Sequence, residues 1–127
     1  MHMHDWNNYR WQLVAALGDF GTRSPDTIRG YATLGAAGEK TRHFDSKTRE
    51  LIALAAAVSL RCDGCIAVHA ANARKHGASK DEIAEALGVA VSVNAGAAIV
   101  YSMRTLDAFD AAGEDPSAKS TVLPTAR

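Results

Sequence analysis

The chain has little of what would staple, steer or anchor a protein. Two cysteines among 127 residues are too few for a disulfide framework, and a chain of this length buries a core without one. Fourteen Lys and Arg balance fourteen Asp and Glu, and neither sign gathers into a run, which excludes an electrostatic nucleic-acid or membrane surface. No basic segment followed by an apolar core opens the N-terminus, so no secretory signal is read and a cytoplasmic location is expected. The longest weakly polar run, Gly88 to Tyr101, is interrupted by Ser92, Asn94 and Gly96 and reads as a buried helix rather than a bilayer span. Small molecules and protein partners remain.

What is there is concentrated. The two cysteines stand as Cys62-Asp63-Gly64-Cys65, with His69 four residues on. Random placement gives two cysteines this spacing only about 1–2% of the time, so the pair works as a pair. In a reducing compartment such a pair is more often catalytic or metal-binding than structural.

The surrounding pattern is helical throughout. Trp6, Leu13, Val14, Leu17 and Phe20 recur at three- and four-residue spacings, predicting a first helix over Asp5 to Phe20 that ends at Gly18 or Gly21. Ser24-Pro25 reads as an N-cap with proline at the first helical position, opening a helix through Ile28, Tyr31 and Leu34 that stops near Gly38. Asp45 or Ser46 caps a third, with Leu51, Ile52, Leu54, Ala55 and Val58 as its apolar stripe and a turn over Ser59 to Cys62. A fourth runs from Asp63 to Lys75 and closes at His76-Gly77. Ser79-Lys80-Asp81-Glu82 is a capping box for a fifth. Asn94-Ala95-Gly96 is expected to break it, leaving Ile99, Val100, Met103, Leu106 and Phe109 to a sixth. No strand pattern is found, so the fold class is all-α: one domain over residues 1–112 and a loosely ordered tail over 113–127. Alanine occurs 25 times, and small residues on several helix faces favour close packing, some of it against another subunit.

A Cys-x-x-Cys at a helix start places thiols beside unsatisfied backbone N–H groups and the positive end of the helix dipole, which lowers a thiol pKa. One sulfur then attacks an oxidised substrate and the other resolves the adduct as a disulfide. His69 lies on the same helix face as Cys65, one turn on, where an imidazole is a proton acceptor near neutral pH. The plain alternative is a histidine satisfied by a backbone carbonyl.

Glu50 enters by arithmetic. If the third and fourth helices form an antiparallel hairpin turning at Arg61, Glu50 lies eleven residues before the turn and His69 eight after it. The offset is about 5 Å along the helix axes, so carboxylate and imidazole can meet. Alternatively Glu50 belongs to a solvated surface and pairs with Lys47 or Arg49.

Glu50, Cys62-x-x-Cys65-x-x-x-His69, the Gly77-Ala78-Ser79 break and the Glu82-Ile83-Ala84-Glu85-Ala86-Leu87 helix together resemble the alkylhydroperoxidase-D-like branch of the carboxymuconolactone decarboxylase superfamily, over roughly Thr41 to Phe109. The resemblance implies an all-helical fold assembled as a trimer or hexamer and a cofactor-free thiol peroxidase that reduces small hydroperoxides. It implies that Cys65 attacks the peroxide, that Cys62 protonates the leaving group and then forms the disulfide, and that Glu50 and His69 relay protons to and from the thiols. A dithiol protein, thioredoxin-like or lipoyl-type, is the implied reductant. Dipole reasoning alone favours Cys62 as the attacking sulfur, so the assignment to Cys65 rests on the resemblance. The chain departs from the family pattern at Gly64, where a second histidine is usual.

Other readings are open. One is a general thiol–disulfide oxidoreductase, and another is lactone decarboxylation, which works without a cysteine pair. A zinc site would have to recruit His69 with His43 or Glu50. The last is a helical oligomer with merely oxidisable cysteines. His2, His4, His43 and His76 are left outside the redox site, and Trp11 and Tyr101 are assigned to the core.

Overall fold

The computed structural model describes residues 1–117, and among these every regular element is a helix. In chain order they are α1 (Trp6–Arg23), α2 (Pro25–Thr41), α3 (Ser46–Leu60), α4 (Asp63–Lys75) and α5 (Lys80–Glu114). Residues Met1–Val91 form one compact unit and the described residues from Ser92 onward a second.

In the first unit α3 packs on α4, α4 on α1, and α1 on α2. Small residues permit the close approach: Ala57 of α3 and Ala67 and Ala73 of α4 are buried, with Leu54 the largest of the buried side chains among the described residues.

The α3–α4 turn takes two residues. Arg61 adopts the left-handed conformation (φ 53°), its N–H bonding to the Val58 carbonyl while the N–H of Cys62 bonds to that of Ala57. This Schellman pairing satisfies the carbonyls at the end of α3 and leaves Cys62 as the N-cap of α4. The same pairing closes α4, from Gly77 to Arg74 and Ala78 to Ala73, with Gly77 at φ 81° as the sequence predicts.

Other ends differ from expectation. α1 continues past Gly18 and Gly21 to Arg23 and stops against Ser24, whose N–H still bonds to Phe20. Ser24 holds the N-cap position of α2, but its hydroxyl bonds to the Thr27 hydroxyl rather than to the backbone. Gly38 lies inside α2 instead of ending it. A Cβ there would sit 2.5 Å from Cδ of Arg49, so the bare position serves as a notch for that side chain.

The expected break at Asn94-Ala95-Gly96 is absent, giving five helices in place of six. A glycine inside a helix costs only about 1 kcal/mol relative to alanine, and alanines flank Gly96 on both sides. The apolar stretch is therefore continuous: an 18-residue window of α5 has mean hydropathy 1.8 with 6% of it buried, enough by length and composition alone to cross a membrane. Ser92, Asn94 and Gly96, expected to exclude a span, lie within the helix without breaking it, and the run from Gly88 to Tyr101, expected to be a buried helix, is largely exposed. α5 also continues to Glu114, into the tail expected from Gly113, most of which lies outside the described residues.

Trp11 and Tyr101 are not core residues, being 71% and 66% exposed. The Tyr101 ring instead carries the Arg104 guanidinium 5.1 Å from its centroid.

Candidate active site

Cys62 and Cys65 are joined as a disulfide, with Cα atoms 5.2 Å apart. Both are half-buried at the start of α4. Sγ of Cys62 accepts the N–H of Cys65 at 3.2 Å, so this sulfur does the work of an N-cap oxygen.

Across the hairpin, Nδ1 of His69 lies 2.7 Å from Oε2 of Glu50. A carboxylate offers only acceptors, so Nδ1 carries the proton and donates it, leaving Nε2 as the free basic nitrogen. The Glu50 and His69 side chains are 18% and 31% exposed, which puts the pair at the edge of the interior.

The alternative partners of Glu50 are occupied elsewhere. Lys47 Nζ pairs with Glu82 Oε2 at 2.9 Å, tying α3 to the first turn of α5. Arg49 donates to the Phe44 and Gly38 carbonyls and to Ser46 Oγ. Glu50 is left to His69, as the hairpin arithmetic expected.

Two cavities meet at His69. One, of about 280 Å³, holds Cys62 and Cys65 among Leu13, Leu17, Tyr31 and Val68. The other, of about 180 Å³, holds Glu50 with Glu39, Arg49 and His76. His69 borders both, with hydrocarbon and sulfur on one side and ionisable groups on the other.

Of the ligands the zinc alternative would recruit, Cys62, Cys65 and His69 line one cavity, and His43 is not among its lining residues. His43 lies with Arg42 and Asp45 in a neighbouring cavity that shares Glu39 and Arg49 with the one around Glu50. Among the described residues no three His, Cys, Asp or Glu side chains gather as a metal site.

The resemblance drawn from the motif can be set against known proteins. Residues 25–108 match the carboxymuconolactone decarboxylase family, from the first residue of α2 to well inside α5. The chain belongs to the carboxymuconolactone decarboxylase family. An uncharacterized protein of Haemophilus influenzae is 46% identical over 83% of this chain and 93% of its own length. A protein of Paracoccus denitrificans described as "uncharacterized protein 4 in cox locus" is 32% identical over 76% of this chain and 86% of its own. The fold is similar to the crystal structure of an apo carboxymuconolactone decarboxylase family protein from Legionella pneumophila. The TM-score is 0.66 at 33% identity, covering 83% of this chain and 94% of that one.

Within this member of the carboxymuconolactone decarboxylase family, the structure brings together all four residues singled out from the motif. It adds others the sequence did not point to. Leu13 and Leu17 lie on α1, outside the matched residues, and look in sequence like ordinary amphipathic-helix positions. Tyr31 reads as packing, and His76 reads only as a helix-end residue although it lines the cavity behind Glu50. His4 packs its ring edge-on against Trp6 and Tyr9, with centroids 4.9 and 5.1 Å away.

Proposed function

We propose that this protein is an alkylhydroperoxidase-like thiol peroxidase, cycling Cys62 and Cys65 between dithiol and disulfide. The observation that carries the reading is the Glu50–His69 hydrogen bond set beside the cysteine pair at the start of α4. Nε2 of His69 is the base that takes the thiol proton, and Glu50 stabilises the resulting imidazolium.

The cycle consumes one hydroperoxide per pair of thiols. The Cys65 thiolate attacks the outer peroxide oxygen, the O–O bond breaks, and the alkoxide takes a proton from Cys62 and leaves as an alcohol. The Cys62 thiolate then attacks the Cys65 sulfenic acid and closes the disulfide, and the departing hydroxide leaves as water by taking the proton that His69 holds. A dithiol protein, thioredoxin-like or lipoyl-type, restores both thiols by exchange. We place this cycle in the cytoplasm and in a homo-oligomer.

One observation favours a second reading, general thiol–disulfide exchange. The helix-end N–H is directed at Cys62, and such a donor stabilises a thiolate on that sulfur. The two readings separate on single variants. Reduced wild-type protein given one equivalent of hydroperoxide loses two thiols rapidly if the first holds. Cys65→Ser then abolishes the reaction, while Cys62→Ser consumes peroxide and accumulates a sulfenic acid. If Cys62→Ser is inert to peroxide and Cys65→Ser instead forms mixed disulfides with a small disulfide, the exchange reading replaces the peroxidase. Full activity in the double variant sinks both.

A further inference from the structure

The wall facing the two sulfurs draws two of its four apolar side chains from a helix outside the matched family residues. α1 packs against α4 and brings Leu13 and Leu17 to the cavity that holds Cys62 and Cys65, with Tyr31 of α2 and Val68 of α4 completing the apolar lining. The seat of α1 is Gly64. A Cβ at that position would lie 3.3 and 3.5 Å from the two methyls of Leu13 and 3.9 Å from the Tyr9 hydroxyl. A side chain at position 64 would therefore press on Leu13, one of whose methyls would have to give by a few tenths of an ångström to admit even the Cβ.

Ionisable groups gather on the other side of His69, around Glu50, so apart from His69 and the two sulfurs themselves no charged side chain lines the cavity that meets an entering molecule. Leu17 and Tyr31 are 45% and 62% exposed and form the outer rim. A cavity of about 150 Å³ lined by hydrocarbon holds a benzene molecule, so the space at the sulfurs, about 280 Å³, takes one substituted ring or a branched alkyl group.

We propose that α1 is the selecting element of the dithiol site. Through Leu13 and Leu17 it favours uncharged, hydrocarbon-bearing oxidants over hydrogen peroxide and over anionic ones, and the glycine at position 64 is the complement of Leu13. This rests on the reading of Cys62 and Cys65 as the reacting centre, and it names residues that govern which oxidant reaches them. The energetic source is burial of the oxidant's apolar group, which hydrogen peroxide lacks.

The test uses reduced full-length protein and two pairs of probes. Cumene hydroperoxide and hydrogen peroxide report on peroxide selection, while N-benzylmaleimide and iodoacetate report on access to the thiols without any peroxide chemistry. Rates are normalised to those of a short Cys-x-x-Cys peptide. Wild type is expected to prefer the apolar member of each pair, and Leu17→Ser and Leu13→Ser to lower each preference about tenfold, the size of effect a small apolar contact carries. Circular dichroism confirms that the helices persist, and Leu17→Ser, at the rim, is the variant least dependent on packing. Preferences that stay within about twofold of wild type in a folded Leu17→Ser protein overturn the proposal. If neither peroxide oxidises wild type, the peroxidase reading fails by itself. The maleimide-to-iodoacetate ratio then decides the role of α1: a fall in the variants upholds it and an unchanged ratio overturns it.

Discussion

Nδ1 of His69 donates to Oε2 of Glu50 over 2.7 Å, joining the two arms of the α3–α4 hairpin across a sequence separation of 19 residues. The bond fixes the tautomer that leaves Nε2 basic, so on the proposed mechanism its loss is expected to disturb chemistry before it disturbs folding.

Glu50→Gln and His69→Phe are therefore expected to slow oxidation of the reduced dithiol by about 10²-fold, the usual contribution of a positioned base. The apparent thiol pKa, read from alkylation rate against pH, is expected to rise toward the ordinary value of about 8.5. An unchanged alkylation profile in a folded variant would remove Glu50 and His69 from thiol activation.

Arg61 occupies the left-handed region, where an L side chain costs about 1–2 kcal/mol and glycine nothing. Allowing for the greater freedom of glycine in the unfolded chain, Arg61→Gly is expected to stabilise the protein by about 0.5–1 kcal/mol. Denaturant titration of matched oxidised samples checks this, and a loss of stability would mean that the Arg61 side chain makes a contribution of its own.

The Lys47–Glu82 pair gives a pH dependence with a defined sign. The hydrogen bond from Lys47 is the main cause holding the Glu82 carboxyl below 4.5, and the same bond raises Lys47 above 10.5. The carboxylate's contribution is complete above 4.5 and is lost as pH falls through its lowered folded value. The lysine's contribution is complete below 10.5 and is lost as pH rises through its raised one. Glu82→Gln is thus expected to lower the Tm at pH 7 and to differ less from wild type as the pH falls below 4.5. A difference that persists unchanged at low pH contradicts the assignment.

In the second unit, Ile99, Tyr101, Met103, Leu106 and Phe109 are each more than half exposed. Apolar surface on this scale calls for a cover, and other copies of the chain are the proposed one. Light scattering at micromolar concentration is expected to give a mass of three or six times 13.4 kDa, reduced by Leu106→Asp. A monomer would exclude the assembly, and recovery only in detergent would assign the surface to lipid.

The legible parts of the fold were those with punctuation at both ends. α4 was read to the residue because Cys62-Asp63 opens it and Gly77 closes it, each signal local to the chain. Gly38 and Gly96 misled for one reason: a glycine is a stop only where the backbone turns left-handed, and neither does. Glu50 and His69 were found because a tight hairpin converts sequence offsets into distances. Leu13, Leu17 and Tyr31 were not, since their approach to the sulfurs depends on how α1 and α2 pack, which no local spacing encodes.

The two sides of His69 are built on different parts of the chain. The carboxylate and imidazole come from the α3–α4 hairpin, whereas most of the hydrocarbon facing the sulfurs comes from α1 and α2. Substitutions in α1 can therefore alter what the cysteines meet while the Glu50–His69 bond of the hairpin stays as it is, so the two walls of the site are free to change independently of one another.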